Sequence, residues 1–140
     1  LLVGNAGILV TRVEYVKEGE ANFIIVDAAM NDLIRPTLYE AHHDIEPVNQ
    51  SNLPPITGDI VGPVCETGDY LAKGRTIAGV KEGDLLAVIS AGAYGAVMAS
   101  TYNSRPLIPE VLVDGARWHV IRPRKSIEDL IALDSVPDWL

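Results

Sequence analysis

The sequence predicts a mainly β fold: a closed barrel or sandwich of antiparallel and mixed strands with a few short helices. Three observations carry this. Runs rich in Val, Ile and Thr recur at short spacing, tight-turn signals separate them, and only one short stretch near the C-terminus reads as a well-capped helix. At 140 residues the chain suits one domain and is long enough to bury a core. It is 48% hydrophobic but only 6% aromatic, so that core should be mostly aliphatic.

The first run, "GILVTRVEYV" (7–16), alternates from Thr11 onward, with Thr11, Val13 and Tyr15 on one face and Arg12 and Glu14 on the other. "KEGE" (17–20) is a turn, and "ANFIIVDAAM" (21–30) reads as the second strand of a hairpin. "NDLIRPTLYEAHHDI" (31–45) has no clean period. Pro36 opposes a long helix there, so a short helical turn followed by a loop or edge strand fits better. "EPVNQSNLPPITGD" (46–59) is a polar, Pro-rich surface connector, and "IVGPVCE" (60–66) reads as a buried strand.

"VKEGDLLAVISAGAYG" (80–95) gives a turn, a strand and a Gly-bracketed bend, and "AVMASTYN" (96–103) carries the small residues of a tightly packed helix. "EVLVDGARWHVIRP" (110–123) reads as a hairpin, because Asp114-Gly115 supplies the positive φ angles of a two-residue turn. "SIEDLIALD" (126–134) is a short amphipathic helix. Ser126 is its N-cap, Asp129 lies near the positive end of its dipole, and Ile127, Leu130 and Ile131 share a face.

Composition excludes several classes of function. The net charge of -8 offers no basic stripe to a nucleic-acid backbone or an anionic membrane. One cysteine cannot form an internal disulfide or a multi-cysteine zinc site. No apolar run approaches the ~20 residues of a membrane helix. A cytoplasmic protein is therefore expected. The opening "LLVGNAGILV" has no initiating Met and reads as the start of a fragment.

Four residues stand out as chemistry. Cys65 ends its apolar run and is followed by Glu66, Thr67, Gly68 and Asp69, so it can meet solvent or ligand; the bland alternative is a small buried hydrophobe. Carboxylates beside a thiol favour its neutral form, which suits a proton donor better than a nucleophile. Tyr94 in "AGAYGA" sits between small residues that let backbone pass close to a ligand, and a following helix would offer its N-terminus to an anion such as phosphate. A surface tyrosine in a Gly-bounded turn is the alternative. Arg35 and Tyr39, spaced i, i+4 in "RPTLY", would point the same way from a helical turn and suit a carboxylate. A surface Arg beside a core Tyr is the plainer reading. Adjacent His42 and His43 face opposite ways on a strand and do not suit a shared metal; no metal is expected. No spacing supports a Cys65–His hydrolase dyad.

The ordered set "VGNAG" (3–7), "DAAMNDLIRPTLYEAHH" (27–43), "GPVCETGD" (62–69), "AGAYG" (91–95), "YNSRP" (102–106) and "IRPRKSIEDLI" (121–131) resembles the C-terminal domain of the diaminopimelate decarboxylase family. These are alanine-racemase-like, fold type III enzymes that use pyridoxal 5'-phosphate. The resemblance spans essentially the whole chain. It implies that residues 1–140 are the C-terminal β-domain of a two-domain enzyme whose N-terminal (β/α)8 domain, bearing the cofactor lysine, is absent from this chain.

It further implies a head-to-tail homodimer that decarboxylates meso-diaminopimelate to L-lysine. Cys65 would be the catalytic acid, offered across the interface to the partner's cofactor. Glu66 would bind the distal ammonium, Arg35 and Tyr39 the distal carboxylate, and Tyr94 would contact cofactor or substrate. The rivals are a same-fold decarboxylase of ornithine, arginine or carboxynorspermidine, and a non-catalytic β-barrel module for binding or dimerisation.

None of Lys17, Lys73, Lys81 or Lys125 sits in the family's cofactor-lysine context, and its phosphate loop and Glu-Pro-Gly-Arg element would lie before residue 1. The 140 residues alone should therefore neither retain pyridoxal phosphate nor decarboxylate. Absorbance of tightly bound cofactor on the isolated polypeptide after gel filtration would contradict this.

Overall fold

The structure, a computed structural model, describes residues 2–140. The chain divides into two compact units, Leu1–Ala99 and Ser100–Leu140. The first is built on six strands: β1 (Leu9–Lys17), β2 (Phe23–Val26), β3 (Ile45–Pro47), β4 (Ile56–Val61), β5 (Tyr70–Ile77) and β6 (Leu85–Val88). Their order in the sheet is β3-β6-β1-β2-β4-β5. Every pairing is antiparallel except β2 with β4, which run parallel. The expected mainly β barrel of antiparallel and mixed strands is therefore present, and it is nearly closed.

Closure is made by side chains where the ladder stops. The edge strands β3 and β5 meet, and Arg75 on β5 donates to the His43 carbonyl at 2.8 Å while its other terminal nitrogen lies 2.9 Å from His42 Nδ1. The interior is aliphatic, as the composition requires. Val13, Ile24, Val26, Ile60, Leu86 and Val88 are fully buried, each stabilising the fold by about 1.5–3 kcal/mol relative to exposure.

The first hairpin forms where the sequence places it, with two differences. A bulge between Val13 and Tyr15 shifts the β1–β2 register, so the shared face ends at Val13 and Tyr15 turns outward, 55% exposed. Strand β2 stops at Val26 because Asp27 takes over the bonding: its Oδ1 accepts from Thr11 Oγ1 at 2.6 Å and from the Arg12 amide at 2.8 Å.

The predicted strand over 60–66 is corrected. Strand β4 ends at Val61, and residues 62–69 form a loop. Pro63 has no N–H for a ladder, and the Val64 amide goes to the Asp69 side chain at 2.6 Å. Strand β5, which the sequence reading did not assign, carries Lys73-Gly74-Arg75 and faces β4 across two irregularities, so no alternating period marks it. The helix expected over 96–103 is also absent; 3-10 turns cover Ala96–Met98 and Tyr102–Ser104, with Asn103 at φ 59° inside the second. Positive φ interrupts any helix there.

In the second unit, β7 (Glu110–Asp114) and β8 (Arg117–Arg122) pair as the predicted hairpin. Because Asp114 faces Arg117, the two loop residues are Gly115 and Ala116 rather than Asp114 and Gly115, with Gly115 at φ +60°. Helix α2 (Ile127–Ile131) follows. Ser126 and Asp129 form a reciprocal capping box.

Gly92 is required by close approach of backbone. Its amide donates to the Gly4 carbonyl at 3.0 Å, and a Cβ at this position would lie 2.1 Å from the Val3 carbonyl oxygen and 2.7 Å from the Gly7 nitrogen. Gly92→Ala in the intact protein should cost about 1–3 kcal/mol, whereas Gly19→Ala, whose nearest contact would be 3.8 Å away, should be almost neutral. Calorimetric Tm values that fall equally for both would contradict this packing.

Candidate functional site

The segment from Asp27 to Tyr39 is the hub of the candidate site. It leaves β2, makes a tight turn in which Asp32 Oδ2 accepts from the Ala29 amide at 2.9 Å, and enters the one-turn helix α1 (Arg35–Tyr39). Pro36 opens that helix at its first turn, where its missing N–H costs nothing. Glu40 ends it at φ 53°. One turn puts Arg35 and Tyr39 on the same side, Arg35 half-buried and Tyr39 61% exposed.

The Cys65 loop packs directly on this helix. Thr37 Oγ1 donates to the Gly68 carbonyl, and Tyr70 Oη, just after the loop, is 3.4 Å from the Pro36 carbonyl. Asp69, 5% exposed, spans the gap between loop and hub: its Oδ1 accepts from the Met30 amide at 2.7 Å and its Oδ2 from the Val64 amide at 2.6 Å. Cys65 itself is exposed and free, so the core-filler reading fails on burial. Glu66 is exposed beside it, its Oε1 accepting from Thr67 Oγ1 at 3.2 Å.

Tyr94 lies on a second loop that reaches the same hub. A Cβ on Gly95 would lie 3.6 Å from Leu33 Cδ1, on the buried residue two before α1. Tyr94 is 66% exposed and sits at φ 58°, a conformation that costs energy for a bulky residue and that concentrates at functional sites. The glycines around it serve backbone packing: Gly92 against Val3 and Gly7, and Gly95 against Ala91, whose carbonyl oxygen would lie 2.4 Å from a Cβ on Gly95. The expected helix N-terminus for an anion is not there, because Ala96–Met98 is a single 3-10 turn.

The adjacent His42 and His43 are occupied elsewhere. His42 is exposed with both ring nitrogens engaged, by Arg75 and by Asp44 at 3.1 Å. His43 is buried, its Nδ1 2.9 Å from the Ile89 carbonyl oxygen. A Cys65–His hydrolase pair has no support in this arrangement. Among the described residues, a cleft of about 310 Å³ lies beside α2 and one of about 290 Å³ between α1 and β5, and none of the five predicted residues lines either. The loop carrying Cys65 and Glu66 and the loop carrying Tyr94 both meet the segment that carries Arg35 and Tyr39.

The residue that sequence reasoning left unassigned is Asp69. Its signal was its place in "CETGD", four residues after the thiol, but its backbone partners are visible only in three dimensions.

The family model of the pyridoxal-dependent decarboxylase C-terminal sheet domain matches residues 2–92. The chain belongs to this family. It is 61% identical over 132 residues to a diaminopimelate decarboxylase of Neisseria meningitidis, covering 94% of this chain and 32% of that protein. It is 54% identical over 140 residues to the diaminopimelate decarboxylase of Zymomonas mobilis, covering 99% of this chain and 33% of that protein. The crystal structure of the Helicobacter pylori diaminopimelate decarboxylase complexed with L-lysine matches with a TM-score of 0.88 at 42% identity, over 94% of this chain and 32% of that one. The chain thus spans about a third of the length of the decarboxylases it matches. The matched residues 2–92 contain Arg35, Tyr39, Cys65 and Glu66; Tyr94 lies two residues beyond. Among the described residues, no helix is long and apolar enough to cross a membrane.

Proposed function

We propose that this chain is the C-terminal β-domain of a meso-diaminopimelate decarboxylase, and that its exposed Cys65 is the acid that completes the reaction. What supports the reading is an exposed thiol, Cys65, and an exposed carboxylate, Glu66, on a loop fastened to the helix that bears Arg35 and Tyr39. The relatives named diaminopimelate decarboxylase support the substrate.

The residues fit the far end of such a substrate. Arg35 offers a planar fork for the distal carboxylate, Tyr39 a phenolic donor on the same side of α1, and Glu66 an anion for the distal ammonium. Pyridoxal phosphate, when bound, supplies the electron sink for the pair left as CO2 departs. The donor set here suits one edge of that cofactor, with the Tyr94 phenol and Cys65 thiol both exposed. Cys65 Sγ then gives its proton to the vacated α-carbon and is reprotonated by solvent. The lysine and phosphate cradle belong to a (β/α)8 domain outside these residues, and the partner subunit of a homodimer supplies the cofactor that Cys65 faces. A site of exposed residues becomes dry and enclosed only when such surfaces meet it.

A guanidinium on α1 favours a substrate with a far carboxylate over ornithine or arginine, which carry no second carboxylate to pair with it. In the full-length enzyme, meso-diaminopimelate should yield lysine and CO2; turnover of ornithine and arginine alone would contradict the assignment. Cys65→Ser should lower kcat by about 100- to 10,000-fold with the cofactor still bound; unchanged turnover would favour a non-catalytic barrel module. Arg35→Leu should raise KM for diaminopimelate roughly 10- to 100-fold, the loss of a charged hydrogen-bonding partner, and a KM that does not move would remove Arg35 from the site.

A further inference from the structure

We propose that Asp69 is a positioning residue that sets the Cys65 thiol for proton delivery, a role that rests on the reading of Cys65 as the acid. Cys65 is the middle residue of a three-residue turn closed by the Glu66 amide donating to the Val64 carbonyl at 2.8 Å. The thiol therefore projects from the apex of the tightest turn a backbone makes. Among the described residues no hydrogen bond holds the sulfur itself, so its position is set through the backbone on either side.

Both sides are held by one residue. Asp69 Oδ2 accepts from the Val64 amide at 2.6 Å, immediately before the cysteine. The Asp69 amide donates to the Glu66 carbonyl at 3.0 Å, immediately after it. The Asp69 carbonyl accepts from the Gly62 amide at 3.1 Å, at the loop's start. The remaining carboxylate oxygen accepts from the Met30 amide at 2.7 Å, on the segment that carries Arg35 and Tyr39. One buried side chain thus fixes the acid relative to the substrate-binding helix.

The space for this carboxylate is reserved by Gly62. A Cβ there would stand 2.5 Å from Asp69 Oδ2 and 2.6 Å from the Ala28 carbonyl oxygen. The geometry also explains why an acid is needed at this position. Two N–H groups converge on it, and only a carboxylate presents an acceptor to each; an amide of the same shape would turn a donor toward one of them.

The test uses the full-length holoenzyme and a double-mutant cycle. Asp69→Asn should lower kcat about 100-fold, the scale of loss expected when a reacting group is displaced by about 1 Å. In the Cys65→Ser background the same substitution should change kcat by no more than about 2-fold, because the group it positions is gone. Equal losses in both backgrounds would overturn the proposal, since a merely structural role is indifferent to the thiol.

Amide hydrogen exchange provides the readout that needs no turnover. In the parent the Val64 and Met30 amides should be protected, and in Asp69→Asn at least one should exchange markedly faster. Exchange at unprotected rates in the parent would overturn the proposal even if the variant fails to fold. If the parent makes no lysine from diaminopimelate, the substrate assignment falls, while the exchange data still decide whether Asp69 holds the loop.

Discussion

The two oxygens of the Asp69 carboxylate, each taking a backbone N–H from a different segment, are the joint on which the rest of the site depends. Burying a carboxylate is unfavourable unless its oxygens are satisfied, and here the Met30 and Val64 amides do so at 2.7 and 2.6 Å. Each such bond to a charged acceptor is worth about 1.5–3 kcal/mol, enough to hold a proline-containing loop out of the β4 ladder. Consequences run outward from there. The strand must end at Val61, Gly62 must lack a side chain, and Cys65 must stand exposed at a turn rather than inside the barrel.

The barrel beneath is the rigid support for this joint. Its aliphatic interior fixes β1, β2, β4 and β6, and the segment after Val26 is anchored by Asp27 to Thr11 and Arg12. The loops carrying Cys65 and Tyr94 both lean on residues 28–39, which are themselves locked by Asp32 and Pro36. Precision at exposed side chains thus comes from buried polar groups. Loops are where binding residues concentrate, provided a scaffold positions them.

Legibility in the sequence followed the range of the forces. The β1–β2 and β7–β8 hairpins, the β6 strand and the Ser126 cap were readable because alternation, turn chemistry and capping act over a few residues. Strand β5 was not, since Gly74 and the register breaks opposite β4 erase its period, and the parallel β2–β4 pair depends on contacts some 35 residues apart. The strand assigned to 60–66 was lost to a tertiary hydrogen bond at Val64 that no local rule anticipates. For the site, residue types and their order identified Cys65, Glu66, Arg35, Tyr39 and Tyr94 as candidates. What the order could not convey is that they share a hub, or that Asp69 fastens it.

On the proposed reading, the exposed Cys65 and Glu66 are part of an active site that other surfaces complete. The most direct test is a crystal structure of the full-length dimer with pyridoxal phosphate and L-lysine. The account predicts Cys65 Sγ at about 3–3.5 Å from the reacting carbon of the ligand on the partner's cofactor, with Arg35 bonded to the ligand carboxylate. A thiol facing bulk solvent, far from either cofactor, would contradict it.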